Sequence, residues 1–198
     1  MTTNQERLDQ RRRYTGPVFL KEGFRPLFMA AGTWAALAVP VWVAVWTGTI
    51  SYKGIFAPQV WHIHEMMFGF VAAAVGGFIL TAVPNWTGRL PVRGTPLAGL
   101  ALLWLAGRLA VWFSASIGPI TAGVIDLLYL TALVLCIARE IIAGRNWKNA
   151  PVLVALALLA AANGLFHVDA AGIAETGEIA IRLSIGVMAL LVALIGGR

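Results

Sequence analysis

A chain of 198 residues that is 59% hydrophobic and 12% charged carries about half the charge of an ordinary soluble domain. With a mean hydropathy of +0.79, this excludes a soluble globular protein and points to several spans through a lipid bilayer. The formal charge of +6 would suggest a nucleic-acid partner in a soluble chain, but here Lys and Arg lie between apolar runs, where they set topology, and no nucleic acid is expected.

The fold class expected is all-α, a polytopic membrane bundle of about six transmembrane helices. Residues 1–22 are polar and Arg-rich with no cleavable leader pattern, and read as a basic cytoplasmic tail, frayed or lying on the lipid surface. Residues 23–198 form the transmembrane helical domain. A span needs about 20 apolar residues. The runs that qualify are Leu27–Thr47, Trp61–Val83, Leu97–Phe113, Ile120–Ala138, Pro151–His167 and Ile179–Gly196. Pro26, Pro96, Pro119 and Pro151 stand at or near first turns, where a missing N–H costs little. Pro40 lies inside the first run and is expected to kink it. Gly69, Ala73 and Gly77 form a stripe that lets another helix approach. Cys136, alone in an apolar run, reads as packing.

Orientation follows from the basic residues. The tail, the second and fourth gaps and the C-terminus carry nearly all of them, whereas the opposite side has Lys53, with Arg182 just inside the sixth span. Both termini are therefore expected in the cytoplasm. Trp46, Trp61 and Trp112 would mark the outer interface, and Trp86 and Trp147 the inner one.

This topology brings all three histidines, His62, His64 and His167, to one depth near the outer surface. Imidazoles with the thioethers of Met66 and Met67 are the donors a buried metal or haem would use, so these five residues are candidate ligands. On a continuous helix His62 and His64 point about 200° apart, so one centre takes only one of them. His62 shares a face with Met66, and Glu65 lies near it. His64 pairs with Met67. Asn163, four residues before His167, is placed to orient that ring. Interfacial hydrogen bonding explains any single one of these histidines equally well.

Arg108 and Asp126 lie at matching depths on adjacent antiparallel spans, and a structural ion pair accounts for both. The sharper alternative makes Arg108 or Arg182 a cofactor-binding residue for haem propionates. Tyr129, three residues after Asp126, is placed to extend the polar network. A second reading uses Arg108 and Asp126 in an ion, proton or small-molecule transport path.

Gly23-Phe24-Arg25-Pro26-Leu27-Phe28, Trp61-His62-Ile63-His64-Glu65-Met66, Thr81-Ala82-Val83-Pro84-Asn85-Trp86-Thr87-Gly88-Arg89 and Leu103-Trp104-Leu105-Ala106-Gly107-Arg108 resemble motifs of the NnrS family. The resemblance is close over residues 23–110. It implies a bacterial inner-membrane protein with haem and copper, tied to nitric oxide and nitrosative stress. It also implies metal ligation by His62 and His64, and less directly by His167. Family members continue with further helices, so a chain ending at Ile195-Gly196-Gly197-Arg198 reads as incomplete relative to the family.

Overall fold

The computed structural model describes residues 13–196. Met1–Arg12, most of the expected tail, lies outside them. Six helices are long and apolar enough to cross a membrane, and no strand occurs among the described residues. They are α1 (Phe24–Trp46), α2 (Pro58–Thr87), α3 (Thr95–Trp112), α4 (Pro119–Ala143), α5 (Ala150–Ala170) and α6 (Gly177–Gly196). The chain is thus a multi-pass membrane protein. Consecutive helices pack side by side, α1 on α2 and then α3 to α6 in turn, while α2 also meets α4. One end of the bundle carries the histidines, the other the arginines of the connecting loops.

Local chemistry explains the boundaries. Proline stands in the first turn of α2, α3, α4 and α5, where its missing N–H has no intrahelical role. Pro58 opens α2 three residues earlier than the apolar run suggests. At the other end of α2, Gly88 takes the left-handed conformation at φ 70° and donates its N–H to the Pro84 carbonyl at 3.0 Å. Helix α1 continues through Pro40 as one element. Residues 13–22 do not fray. The Gly94 N–H donates to the Leu20 carbonyl at 2.8 Å, and Arg93 lies over the Tyr14 ring at 5.2 Å. Trp61 is not at the lipid interface either. It is 1% exposed and packs between Tyr52 and Trp112, with ring centroids 5.6 and 5.5 Å away. An indole on the first turn of α2 faces the bundle because the loop after α1 folds over that end.

Helix α2 is irregular where the site lies. Residues Glu65–Val71 form a π-helical stretch, and the Ala72 N–H reaches back five residues to the Met67 carbonyl. The wide turn is bridged from α3, where Trp104 Nε1 donates to the Gly69 carbonyl at 2.8 Å. Such stretches insert one residue and rotate everything beyond them. Here it buries Glu65, Phe68 and Gly69 together.

Helices α3 and α4 cross at Gly107, where a Cβ would lie 2.5 Å from Asp126 Oδ1 and 3.2 Å from its Cα. Gly107→Ala is therefore expected to force the helices apart at about 1–3 kcal/mol. That is a drop of roughly 3–10 °C in the melting midpoint of the detergent-solubilised protein. Gly164→Ala is the control. Its Cβ meets nothing closer than Leu127 Cδ1 at 3.9 Å, and its melt should stay at the wild-type midpoint.

Candidate functional site

Four helices send polar side chains to one buried cluster at the histidine end. Helix α2 supplies His64 and Glu65, both 0% exposed. Helix α3 supplies Arg108, α4 supplies Asp126, and α5 supplies Asn163 and His167, all buried. Sequence neighbours on a regular helix diverge by about 100°. At the start of the π-helical stretch, His64 Nδ1 and Glu65 Oε1 nevertheless lie 3.2 Å apart.

Arg108 is the hinge of the charge arrangement. Its Nη1 donates to Glu65 Oε2 at 2.9 Å, and its Nη2 to Asp126 Oδ1. The other oxygen of Asp126 gathers three groups. Asn163 Nδ2 donates to Oδ2 at 2.9 Å, His167 Nε2 lies 3.1 Å away and His64 Nε2 3.2 Å away. Asn163 Oδ1 in turn faces His64 Nε2 at 2.9 Å. One guanidinium against two carboxylates leaves an excess negative charge in a dry interior when both imidazoles are neutral. A cation or a proton must offset it.

The donors fit a metal ion. One ligand atom each from His64, Asp126 and His167 lies within 4.8 Å of the others. A metal bound at about 2.0–2.1 Å holds adjacent donors roughly 3.0–3.4 Å apart, which matches the two imidazole–carboxylate separations. Hydrogen bonding points the same way. If His64 donates through Nδ1 to Glu65, its Nε2 faces two acceptors, Asn163 Oδ1 at 2.9 Å and Asp126 Oδ2 at 3.2 Å, an arrangement that is favourable only with a second proton on the ring or a metal cation between them. A ligating imidazole whose other N–H is held by a carboxylate is the usual outer-shell arrangement. A haem does not fit here. Phe56, Phe68 and Phe166 pack against the His64 ring with centroids 5.1, 4.9 and 5.5 Å away, leaving no slot for a macrocycle beside it among the described residues.

A lid covers the cluster. Phe56, in the loop between α1 and α2, also touches the His167 ring at 5.5 Å. The loop is pinned to the turn between α3 and α4, where the Ile55 N–H donates to Ser114 Oγ at 2.9 Å and the Ala115 N–H to the Lys53 carbonyl at 3.2 Å. Burial first, and the Glu65 carboxylate second, raise the Tyr52 phenol above its ordinary value, so it stays neutral in this loop.

The structure sorts the candidates from sequence. It brings His64, His167, Arg108 and Asp126 together, with the ring centroids of His64 and His167 5.3 Å apart. It leaves His62 outside, stacked on Trp42 at 4.3 Å toward α1. Arg182 pairs with Glu178 on an open face of α6, both side chains 77% exposed, remote from the buried cluster. Met66 and Met67 are half-buried, and Met67 packs against the apolar core. Glu65 was expected near the His62 face; its backbone keeps the regular helical relation to His62, with the N–H on the Trp61 and His62 carbonyls, but its carboxylate reaches His64 and Arg108. Asn163 orients His64 and Asp126 instead of His167. Tyr129 turns its hydroxyl to the Ala72 carbonyl at 3.2 Å instead of Asp126. Gly76 makes room for that hydroxyl.

Comparison with curated proteins finds no match, and comparison with solved structures finds none. The sequence model described as NnrS protein matches residues 18–198, which include every residue of the buried cluster. The chain therefore belongs to the NnrS protein family.

Proposed function

We propose that this membrane protein acts in the response to nitric oxide and nitrosative stress, and that His64, Asp126 and His167 hold a metal ion, copper on the family likeness. In this reading it sits in a bacterial inner membrane with its N-terminus in the cytoplasm and the histidine end toward the periplasm. The basic loops at the opposite end support that orientation. The observation that carries the reading is the convergence of two imidazoles and one carboxylate, all buried, around a position where a positive charge is needed. The same donor set also suits non-haem iron(II). Haem rests on the family likeness alone, and the rings packed on His64 give it no place beside that imidazole.

A redox-active ion held there would supply electron transfer and an open position for a small ligand. The chain's own residues do the rest. Glu65 orients His64 through Nδ1, Asn163 steadies Asp126, Arg108 holds both carboxylates, and Phe56 with its loop keeps water out.

The test is metal analysis and an absorption spectrum on the full chain purified after expression with haem and copper supplied. One equivalent of copper per chain supports the reading, and iron in its place keeps the site but changes the ion. Colourless, metal-free protein overturns it. A missing Soret band removes haem alone. Loss of protection against nitric oxide in cells carrying His64→Ala would tie the centre to the stress response. The series of hydrogen bonds from Glu65 through His64, Asn163 and Asp126 to His167 favours one competing reading, a proton or ion path. Flux in proteoliposomes that survives metal removal but is lost in Asp126→Asn would establish that reading.

A further inference from the structure

We propose that a groove between α4 and α5 at the histidine end binds the head of a lipid-soluble quinol or quinone, with His167 Nδ1 as its hydrogen-bond partner. The groove has a volume of about 280 Å³, at the small end for ligand sites and suited to a single substituted ring. Its walls are apolar side chains such as Ile120, Val124, Leu127 and Ile173, and His167 is the one hydrogen-bonding side chain lining it. It opens toward lipid, since Ile120 and Val124 are 68% and 57% exposed on the outside of the bundle.

The imidazole is what makes this more than a space for an acyl chain. His167 is 6% exposed, and its Nδ1 is buried without a hydrogen-bond partner. Leaving such a group unpaired costs about 1–3 kcal/mol, and an alkyl chain cannot restore the bond. Nε2 is already engaged with Asp126 at 3.1 Å, so Nδ1 is an acceptor, matched to a quinol hydroxyl. When Nε2 ligates a metal, Nδ1 carries the N–H and matches a quinone carbonyl. Both forms of one ligand are therefore accommodated, and binding does not depend on the metal. Gly123 lets α4 pack directly on the ring, where a Cβ would lie 2.9 Å from its Cβ and Cγ and 3.2 Å from Nδ1, so Nδ1 stands behind the inner wall of the groove and a ligand reaches it by a small parting of α4 and α5. His167 stands three residues before the end of α5, the depth at which a polar ring on an apolar tail comes to rest.

The experiment uses the full chain in phosphatidylcholine nanodiscs with an azido-quinone photolabel and peptide mapping. Labelling should be saturable, fall on α4 and α5, and be competed by decylubiquinone or decylubiquinol but not by decylbenzene, which has the tail and ring without oxygens. Gly164→Leu should weaken labelling at least tenfold. Its Cβ makes only ordinary contact, the longer side chain extends into the groove, and a wild-type melting midpoint of the variant checks that the fold is kept. In ¹⁵N-histidine protein, the His167 Nδ1 resonance should move on addition of decylubiquinol. Competition by decylbenzene as strong as by the quinone, labelling unchanged in Gly164→Leu, or an Nδ1 resonance that ignores the quinol would each overturn the proposal. Metal content, measured on the same samples, separates this outcome from failure of the metal centre.

Discussion

Arg108→Met is expected to remove most of the folded protein. The substitution roughly conserves volume but leaves Glu65 and Asp126 buried, adjacent and without their shared cation. Breaking one partner of a buried ion pair costs about 3–5 kcal/mol, and here two carboxylates lose it at once. Against a total stability of about 5–15 kcal/mol, that takes a large share. Yield of monodisperse protein in detergent and its melting midpoint are the readouts. Adding Glu65→Gln and Asp126→Asn to Arg108→Met should recover much of the loss, because the cause is the uncompensated charge and not the missing guanidinium as such. Wild-type yield and melting in the single variant would show that the three groups are not paired as described.

His64→Ala and His167→Ala are each expected to abolish stoichiometric metal binding, whereas His62→Ala should leave it within a factor of about two. The contrast is geometric. His64 and His167 both present Nε2 to Asp126 Oδ2, while the His62 ring lies flat on Trp42. Glu65→Gln keeps the size of the group that fixes His64 but weakens its pull on the Nδ1 proton, and should lower metal affinity about 10–100-fold. The measurement is competitive metal titration of the purified chain. Undiminished binding in His64→Ala, or loss confined to His62→Ala, would move the centre to the other histidine.

How much of this was legible beforehand can be judged residue by residue. The Arg108–Asp126 pairing was readable because both lie at matching depths on consecutive spans joined by a short gap. That His167 would meet a histidine of α2 at one end was readable from topology alone. Which histidine of α2 was not, since the 200° between His62 and His64 leaves two faces and nothing in the pattern says which one turns inward. Glu65 was misplaced for a related reason. Its i,i+3 relation to His62 holds along the backbone, but the long side chain swings to Arg108 on α3 and to the neighbouring ring of His64, and no local pattern announces those partners. Asn163 was tied to His167 by sequence proximity, but its amide reaches across to α2 and α4.

By itself, then, the amino-acid order determined the membrane class, the number of spans and their alternation, because apolar length and the placement of Lys and Arg act locally and in one dimension. It also determined that chemistry-bearing side chains collect at one end. Only the packed bundle decided which of them touch. Rotation of each helix about its axis is set by side chains fitting against neighbours far away in the chain, such as α4 seating on Gly107 and Trp104 reaching the Gly69 carbonyl. A rotation of one residue, about 100°, is enough to send a histidine to lipid or to the centre.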